Sequence, residues 1–299
     1  MIEVRHQISE DKKKRSVFRR AIWITLAGNV TLAVAKVIIA SITDSSALFA
    51  EAANSLSDVF YSILLVIGLT IASKPPDESH PQGHSRFEPL VGLVVTIAMS
   101  LAAYEAGREA INKFISGPQA VPILISSIML ISTVVIKTLM YLMVRRVAKI
   151  YQSPSLDAIS VDNITDVSSA GVAFVGVLLS NYVHPIFDPI AGILIAAWIL
   201  FNALQSSREN IVLLSGGAAP AKVRDEIIHR ALSVPGILHV HSLLTEYAGP
   251  RLIVDMHANI SGDLPFEQAH EISDEVIRKI EEMDIVDRVY LHLEPEDWE

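Results

Sequence analysis

Six long apolar runs occupy most of the chain between residues 21 and 206. A helix needs about 20 apolar residues to cross the hydrocarbon core of a bilayer. Windows of that length lie at 21–43, 47–72, 88–113, 121–147, 155–181 and 185–206. Only 19% of the residues are charged, whereas soluble domains average about 25%, and the charges collect toward the two ends. The sequence therefore predicts a membrane all-α domain of six helices, followed by a soluble domain.

The positions of lysine and arginine predict the orientation of these helices. Basic residues cluster before the first run and in the loops after the second and fourth; they are Lys12, Lys13, Lys14, Arg15, Arg19, Arg20, Lys74, Arg86, Arg145, Arg146 and Lys149. The opposite loops are poor in them, with Lys113 as the main exception. Because cytoplasmic loops carry the basic excess, both termini are expected in the cytoplasm. The expected organisation is a cytoplasmic segment at 1–20, a membrane domain at 21–210 and a cytoplasmic domain at 211–299.

The character of the chain changes after Pro220. Amphipathic and alternating patterns predict a helix, two strands, a helix and a strand, at Ala221–Val234, His239–Tyr247, Arg251–Ile260, Phe266–Met283 and Arg288–Glu294. An Ala-Gly-Pro turn joins the first two strands. The order αββαβ predicts a small ferredoxin-like α+β sandwich whose helices cover one face of the sheet.

Composition and motifs exclude several classes of function. No cysteine is present, so disulfides, thiolate metal sites and redox motifs are excluded. The net charge of −9 suits cations and argues against nucleic acid as a partner. The chain contains no P-loop, nucleophile motif or zincin signature, so neither an enzyme nor a nucleotide-driven pump is expected.

Two of the predicted membrane helices carry paired polar residues. Asn54 and Asp58 are four residues apart in the second run, and Asp162 and Asp166 have the same spacing in the fifth. Residues four apart share one helix face, and ionisable groups at this depth are costly and usually face a polar pathway. Three carboxylates and one amide can form an oxygen cage around a divalent cation, which would offset their repulsion. The alternative is a set of polar contacts between helices near their ends.

This ligand set limits the metal and gives protons a place to bind. All-oxygen sites suit Mg, Ca and Mn, whereas imidazole suits Zn, Cu, Ni and Fe. Without a metal, carboxylates clustered in a low dielectric are expected to take up protons. Metal and protons then compete for one site, which is the minimum chemistry of an antiporter. A passive channel and a membrane-tethered metal sensor are the rival functions, although a deep four-ligand cage does not suit rapid conduction.

Two further charged residues lie in the predicted membrane domain, Lys137 and Asp188. Lys137 lies inside the fourth run, where it either snorkels or pairs with an acid that faces the pathway. Asp188, which precedes Pro189, is expected to cap the sixth helix.

Three segments resemble the cation diffusion facilitator family. They are SSALFAEAANSLSD, which ends at Asp58, the loop PPDESHPQGHSRFE, and DAISVDNITD, which ends at Asp166. The resemblance covers nearly the whole chain in order and spacing. It implies a homodimer with six membrane helices and a cytoplasmic metallochaperone-like domain, which exchanges cytoplasmic divalent metal for protons by alternating access. A multi-pass protein of the inner (plasma) membrane is therefore expected.

The resemblance also implies a transport site formed by the two polar pairs, which are Asn54 with Asp58 and Asp162 with Asp166. Zinc-transporting members carry His at the position of Asp162, and often His or Asp at that of Asn54. The Asn-Asp-Asp-Asp set is similar to the manganese-exporting branch, in agreement with the ligand argument, so Mn²⁺ is the expected substrate. Zn²⁺, Fe²⁺, Co²⁺ and Cd²⁺ are the alternatives.

The loop between the second and third runs has a D-x-x-H-x-x-x-H spacing that can bring three ligands to one ion; these are Asp77, His80 and His84. The resemblance implies a peripheral metal site at these positions. Glu78 could take the place of Asp77. Alternatively, the loop signature is structural, with Gly83 shaping the turn and Arg86 pairing with Glu88.

Alternation in the C-terminal strands places polar residues on one face of the sheet. His239 and His241 share a side of the first strand, and His257 lies opposite apolar neighbours in the second. In the family, the matching residues bind a metal pair at the dimer interface; they are His241, His257, His270, His292 and Glu294. The usual last ligand of the family is Asp, which Glu294 can replace. The alternative is that these histidines are surface residues that contact only water.

Overall fold

Six long α-helices precede a smaller α+β region in the computed structural model, which describes residues 12–72, 74–118, 121–151 and 154–296. The helices are α1 (Lys12–Thr43), α2 (Ser46–Ala72), α3 (Phe87–Ser116), α4 (Ile123–Tyr151), α5 (Pro154–Tyr182) and α6 (Phe187–Leu214). Within the described residues, five stretches are long and apolar enough to cross a membrane: Trp23–Thr43, Phe87–Ser116, Ile123–Val147, Ser160–Tyr182 and Phe187–Leu214. The predicted all-α membrane domain is thereby confirmed, with α2 as a further helix of 27 residues.

The first helix starts earlier than its apolar run. α1 begins at Lys12, inside the basic segment that was predicted to precede it, while the membrane-crossing stretch starts at Trp23. Residues 1–11 of the predicted N-terminal segment lie outside the described residues. The boundary of the membrane domain at residue 21 stays a prediction.

The start of α2 is held by a carboxylate from α6. Asp188 accepts hydrogen bonds from the Ser46 backbone N–H (2.6 Å) and from the Ser45 hydroxyl (2.5 Å). The Ser45 hydroxyl in turn accepts one from the Leu48 N–H (3.1 Å), as N-cap side chains do. The prediction that Asp188 caps its own helix was wrong. A carboxylate stabilises the positive N-terminus of any helix it reaches, and the unpaired N–H groups it reaches here belong to α2.

Lys113, the exception to the predicted charge pattern, forms a local ion pair. Its ammonium donates to the Asp44 carboxylate (2.6 Å) and to the Asp44 carbonyl (2.7 Å). Asp44 follows α1 with a φ of 54°, a left-handed conformation that is common where helices end. This ion pair explains why a lysine occurs on the side of the membrane domain where the loops are otherwise poor in basic residues.

Backbone contacts divide the chain into two compact units. The first comprises the residues up to 64 together with 94–206, and the second comprises 65–93 together with 207–299. The paired polar residues of the membrane helices lie in the first unit. The second unit holds the loop between α2 and α3 as well as the whole α+β region.

Small residues allow the helices of the first unit to pack closely. A Cβ atom at Gly176 of α5 would lie 2.3 Å from the Cβ of Ala191 in α6, so the two backbones approach to a distance that only glycine permits. Close approach through small residues is typical of helices packed in membranes. Large apolar side chains such as Ile97, Leu101 and Leu139 stay exposed on the outer helix faces, as expected of helices that face lipid tails.

The α+β region has the predicted order. It consists of α7 (Ala221–Leu232), β1 (His239–Ala248), β2 (Arg251–Ile260), α8 (Phe266–Glu281) and β3 (Val286–Pro295). The strands form one sheet in the order β1-β2-β3, with β1 antiparallel and β3 parallel to the central strand. Alternate residues of β2 are buried against the helices; Leu252, Val254, Met256 and Ala258 are fully buried. The α+β prediction is confirmed.

The loop between α2 and α3 contacts the turn between β1 and β2, within the second unit. The Ser85 hydroxyl donates to the Ala248 carbonyl (2.7 Å), and Arg86 lies 3.7 Å from the Glu246 carboxylate, whereas the sequence suggested Glu88 as its partner. Gly249 has a φ of +78°, and a Cβ there would lie 2.6 Å from the Ser85 carbonyl carbon. A glycine is therefore required both by the backbone conformation and by the closeness of the loop.

Candidate metal centres

The polar pairs of α2 and α5 converge on one point in the first unit. One carboxylate oxygen from each of Asp58, Asp162 and Asp166 lies within 4.8 Å of the others. Spacing of four residues stacks Asp162 and Asp166 on one face of α5, and Asp58 meets them from α2. Asp58 and Asp166 are buried, at 9% and 4% exposed, while Asp162 is exposed. The group of acids is therefore buried at Asp58 and Asp166 and accessible at Asp162.

Asn54 belongs to the same group through its side-chain amide. Its Nδ2 donates a hydrogen bond to Asp166 Oδ1 (2.8 Å), and the residue is half-buried. An amide ligates a cation through its oxygen. The Asn54 side-chain amide would therefore have to flip, exchanging the positions of Nδ2 and Oδ1, for its Oδ1 to join the three carboxylates. All four residues that the sequence grouped are thus together in space.

Lys137 of α4 contributes a positive charge to this group of acids. Its ammonium donates to Asp166 and to Asp58 Oδ2 (3.3 Å), and the side chain is 1% exposed. The sequence left two alternatives for Lys137, snorkelling or pairing with an acid. In the structure Lys137 pairs with acids, because its ammonium points inward to the carboxylates of Asp58 and Asp166.

A second buried ion pair joins α1 and α2, and sequence analysis missed it. The Lys36 ammonium donates to the Glu51 carboxylate (2.8 Å) and to the Ser55 hydroxyl (2.8 Å), and both charged side chains are fully buried. The signal that could have found it is a lysine within the first apolar run, because a charge at that depth requires a partner.

The loop between α2 and α3 brings its three predicted ligands together. Asp77, His80 and His84 form a group whose ligand atoms lie within 4.8 Å of one another. Asp77 is 3.4 Å from each imidazole, through Oδ1 to His80 Nδ1 and through Oδ2 to His84 Nε2. His84 is buried beside Phe87, with ring centroids 5.7 Å apart. The geometry is compatible with one shared cation, although a hydrogen-bonded turn would also place these side chains close together.

The backbone of this loop prepares Asp77 to act as an anionic ligand. Asp77 Oδ1 accepts hydrogen bonds from the backbone N–H groups of His80 (2.7 Å) and Ser79 (3.0 Å). The bond from His80 is the main cause of a lowered pKa of the Asp77 carboxyl, with the nearby histidines adding to it. The Asp77 carboxylate therefore stays ionised to a lower pH than an ordinary aspartate, which keeps it available as an anionic ligand.

In the α+β region, the polar face of the sheet carries a third group. His241, His257 and Glu294 offer ligand atoms within 4.8 Å of one another. Glu294 Oε1 lies 3.0 Å from His257 Nδ1, and Oε2 lies 3.4 Å from His241 Nε2. Asn259 orients the first histidine through a 2.6 Å contact between its Oδ1 and His241 Nδ1. Each of the three strands thus supplies one member of the group.

The other two predicted ligands of this region lie at different distances from the group. His292 pairs with His257 across the sheet, and its Nε2 is 3.6 Å from Glu294 Oε1. His270 lies on α8, where its Nε2 is 3.9 Å from Asp274. His270 and Glu294 line the same cleft of about 430 Å³. His292 therefore borders the group, whereas His270 shares with it only the cleft that Glu294 also lines.

A double variant tests whether this face binds metal. Replacing His241 and His257 with alanine in the full-length protein should remove the part of metal-induced stabilisation that arises in the α+β region. A ligand at one hundred times its Kd stabilises the folded state by about 2.7 kcal/mol, so the rise in melting temperature with added Mn²⁺ should shrink by several degrees. His229→Ala, at an exposed position of α7, is the control. An unchanged rise in the double variant would contradict a metal site on this face.

Two family profiles together match almost the whole chain. The profile described as the cation efflux transmembrane domain matches residues 22–215. The profile described as the cation efflux protein cytoplasmic domain matches residues 219–296. The first match alone covers more than half of the 299 residues, and it includes the group of acids.

Curated relatives match over similarly large parts of the chain. The uncharacterized transporter MJ0449 of Methanocaldococcus jannaschii is 36% identical over 274 residues, which cover 91% of this chain and 96% of the relative. The manganese efflux system proteins MneS and MneP of Bacillus subtilis are 26% and 25% identical. Those two matches cover 91% and 95% of this chain, and 93% and 98% of the relatives.

Proposed function

The chain belongs to the cation efflux family, the cation diffusion facilitators, and on that premise we propose that it exports Mn²⁺ from the cytoplasm in exchange for protons. The observation that carries the proposal is the group of three carboxylates and one amide from two membrane helices, in which Asp58 and Asp166 are buried. Buried acids of this kind need a cation, and the ligand atoms that this group offers to it are oxygens.

The ligand chemistry supports manganese as the substrate. Carboxylate and amide oxygens suit Mn²⁺, whereas imidazole favours Zn²⁺, and among the described residues no histidine belongs to the group around Asp58. Two relatives are named as manganese efflux proteins, which agrees with this choice. Fe²⁺, Co²⁺, Zn²⁺ and Cd²⁺ are weaker candidates on the same ligand argument.

Proton exchange follows from what the acids do when the metal leaves. Three carboxylates held within 4.8 Å of one another repel each other in a medium of low dielectric. Protons relieve that repulsion when they bind to the acids of the metal-free site. A divalent ion relieves it in the metal-bound site. A carrier that holds either metal or protons at Asp58, Asp162 and Asp166, but not both, couples their movements in opposite directions.

We propose that the two peripheral groups bind the same class of ion on the cytoplasmic side. Asp77, His80 and His84 would hold one ion in the loop, and His241, His257 and Glu294, with His292 and His270 nearby, would hold metal where two chains meet in a homodimer. The proposed location is the inner membrane with both termini in the cytoplasm, since the basic loops favour that orientation. Segment 1–20 would be cytoplasmic, 21–210 the membrane domain and 211–299 the regulatory and dimerisation domain.

The test of proton exchange is flux under an imposed pH gradient. In proteoliposomes loaded with Mn²⁺, an acidic compartment on the receiving side should accelerate efflux several-fold, because protons displace metal from the acids there. Equal pH on both sides is the control, and a protonophore should remove the acceleration while the Mn²⁺ gradient is unchanged. Flux that does not respond to the proton gradient would favour a passive channel over an exchanger.

A further inference from the structure

We propose that Lys137 is a tethered cation, which occupies the carboxylates of the transport site in the absence of metal and is displaced each time Mn²⁺ binds. This inference rests on the proposed function, because it assigns a role to a residue at the same site. Lys137 is then a fifth residue of the transport site. It does not ligate the metal, and it stays in the site while the transported ions come and go.

The contacts of Lys137 place its ammonium among the ligands themselves. It hydrogen-bonds to Asp166 and lies 3.3 Å from Asp58 Oδ2, so it shares two carboxylates with the proposed cage. The side chain comes from α4 and is almost completely buried, at 1% exposed. A long, charged side chain is rarely placed in a membrane interior without a function or a partner, and here both partners are proposed metal ligands.

Metal and ammonium cannot share this position. An ammonium has three N–H donors and no lone pair, so Lys137 cannot ligate a metal through the contacts that it now makes. A divalent ion bound between Asp58 and Asp166 would lie beside a like charge in a low dielectric, where repulsion is strong. Metal binding therefore requires the ammonium to withdraw, which a flexible four-carbon stem allows.

Displacement of a tethered charge sets how tightly the site holds metal. When the three carboxylates have lost their protons and can bind metal, they carry a net charge of −2 together with the ammonium, whereas the acids alone would carry −3. Part of the favourable free energy of metal binding is offset by the cost of separating the Lys137 ammonium from Asp58 and Asp166. The site then binds weakly enough to release metal, and the ammonium returns to the acids as the metal departs. A carrier needs this balance, since an ion that binds too tightly does not leave.

The decisive experiment compares two substitutions of Lys137 in the purified full-length protein, by calorimetric titration with Mn²⁺ and by stopped-flow release of bound metal. Lys137→Met removes the competing charge, so Mn²⁺ should bind at least about tenfold tighter, equivalent to about 1.4 kcal/mol. Release should be slower, and efflux by proteoliposomes should fall despite the tighter binding. A merely structural role predicts that binding and efflux fall together, and that result would overturn the proposal.

Lys137→Arg provides an independent result if the methionine variant does not fold. A guanidinium keeps the charge and holds carboxylates through paired hydrogen bonds, so Mn²⁺ should bind several-fold more weakly than to the original protein. Unchanged or tighter binding by this variant would contradict the tethered-cation role. Thr133→Val is the matched control on α4, because the buried Thr133 hydroxyl donates to the carbonyl of Met129 in its own helix.

Asp58→Asn separates a failure of this inference from a failure of the proposed function. If Asp58→Asn leaves Mn²⁺ binding at the membrane site intact, then the proposed site itself is wrong. If Asp58→Asn abolishes that binding while Lys137→Met leaves it unchanged or weaker, then the transport site stands and the tethered cation is refuted.

Discussion

Replacing Asp58 with asparagine is expected to reduce metal efflux by at least about a hundredfold without preventing folding. Removal of groups that only orient metal ligands costs 10- to 100-fold in affinity or activity in other proteins, as a rough guide, and Asp58 would be a direct ligand. The introduced amide would have nearly the same shape as the carboxylate but no charge, and Lys137 would keep its hydrogen bond to Asp166. The variant should therefore insert and assemble as the original protein does.

The measurement is Mn²⁺ efflux from proteoliposomes that contain equal amounts of each variant. Size-exclusion chromatography verifies that the variant has the original assembly state. Ser57→Ala is the control on the same helix, since the buried Ser57 hydroxyl donates to the Ala53 carbonyl of α2. Transport by Asp58→Asn at the original rate would show that the acids are not the transport site. Asp166→Asn should have as large an effect, but it also removes the nearest partner of Lys137 and is therefore a less specific test.

A change of one ligand type should reverse the metal preference. Asp162→His places an imidazole where the site now has a carboxylate, and imidazole favours zinc over manganese. The ratio of Mn²⁺ to Zn²⁺ flux should fall by about tenfold, which corresponds to about 1.4 kcal/mol between the two ions. Because Asp162 is the exposed member of the group, the larger ring has more room there than at Asp58 or Asp166. Asn54→His should add to the change.

The control for this experiment is Asp162→Asn, which removes the charge but adds no imidazole. If the asparagine variant shifts the flux ratio as much as the histidine variant, then charge and not ligand type determines selectivity. An unchanged ratio in the double variant that combines Asn54→His with Asp162→His would place selectivity outside these ligands. An original protein that already prefers Zn²⁺ would refute the manganese assignment, while family membership and metal efflux would stand.

The sequence by itself determined the elements of the fold and the faces of its helices. Runs of about 20 apolar residues must form membrane helices, and a spacing of four puts Asp162 and Asp166 on one side of α5. Period-two alternation likewise assigned Leu252, Val254 and Met256 to the buried face of β2. These are local consequences of helix and strand geometry, so they need no knowledge of what packs against each element.

Only the tertiary structure decided which charged groups meet. Lys137 could have snorkelled to the membrane surface, yet its ammonium lies between Asp58 and Asp166. Asp188 could have capped α6, yet it holds the start of α2. Periodicity fixes the direction of a side chain relative to its own helix, but its partner depends on which helices are neighbours and on their rotation and depth. A buried charge is stabilised only by a specific partner at hydrogen-bonding distance, and that distance is set by packing across the whole bundle.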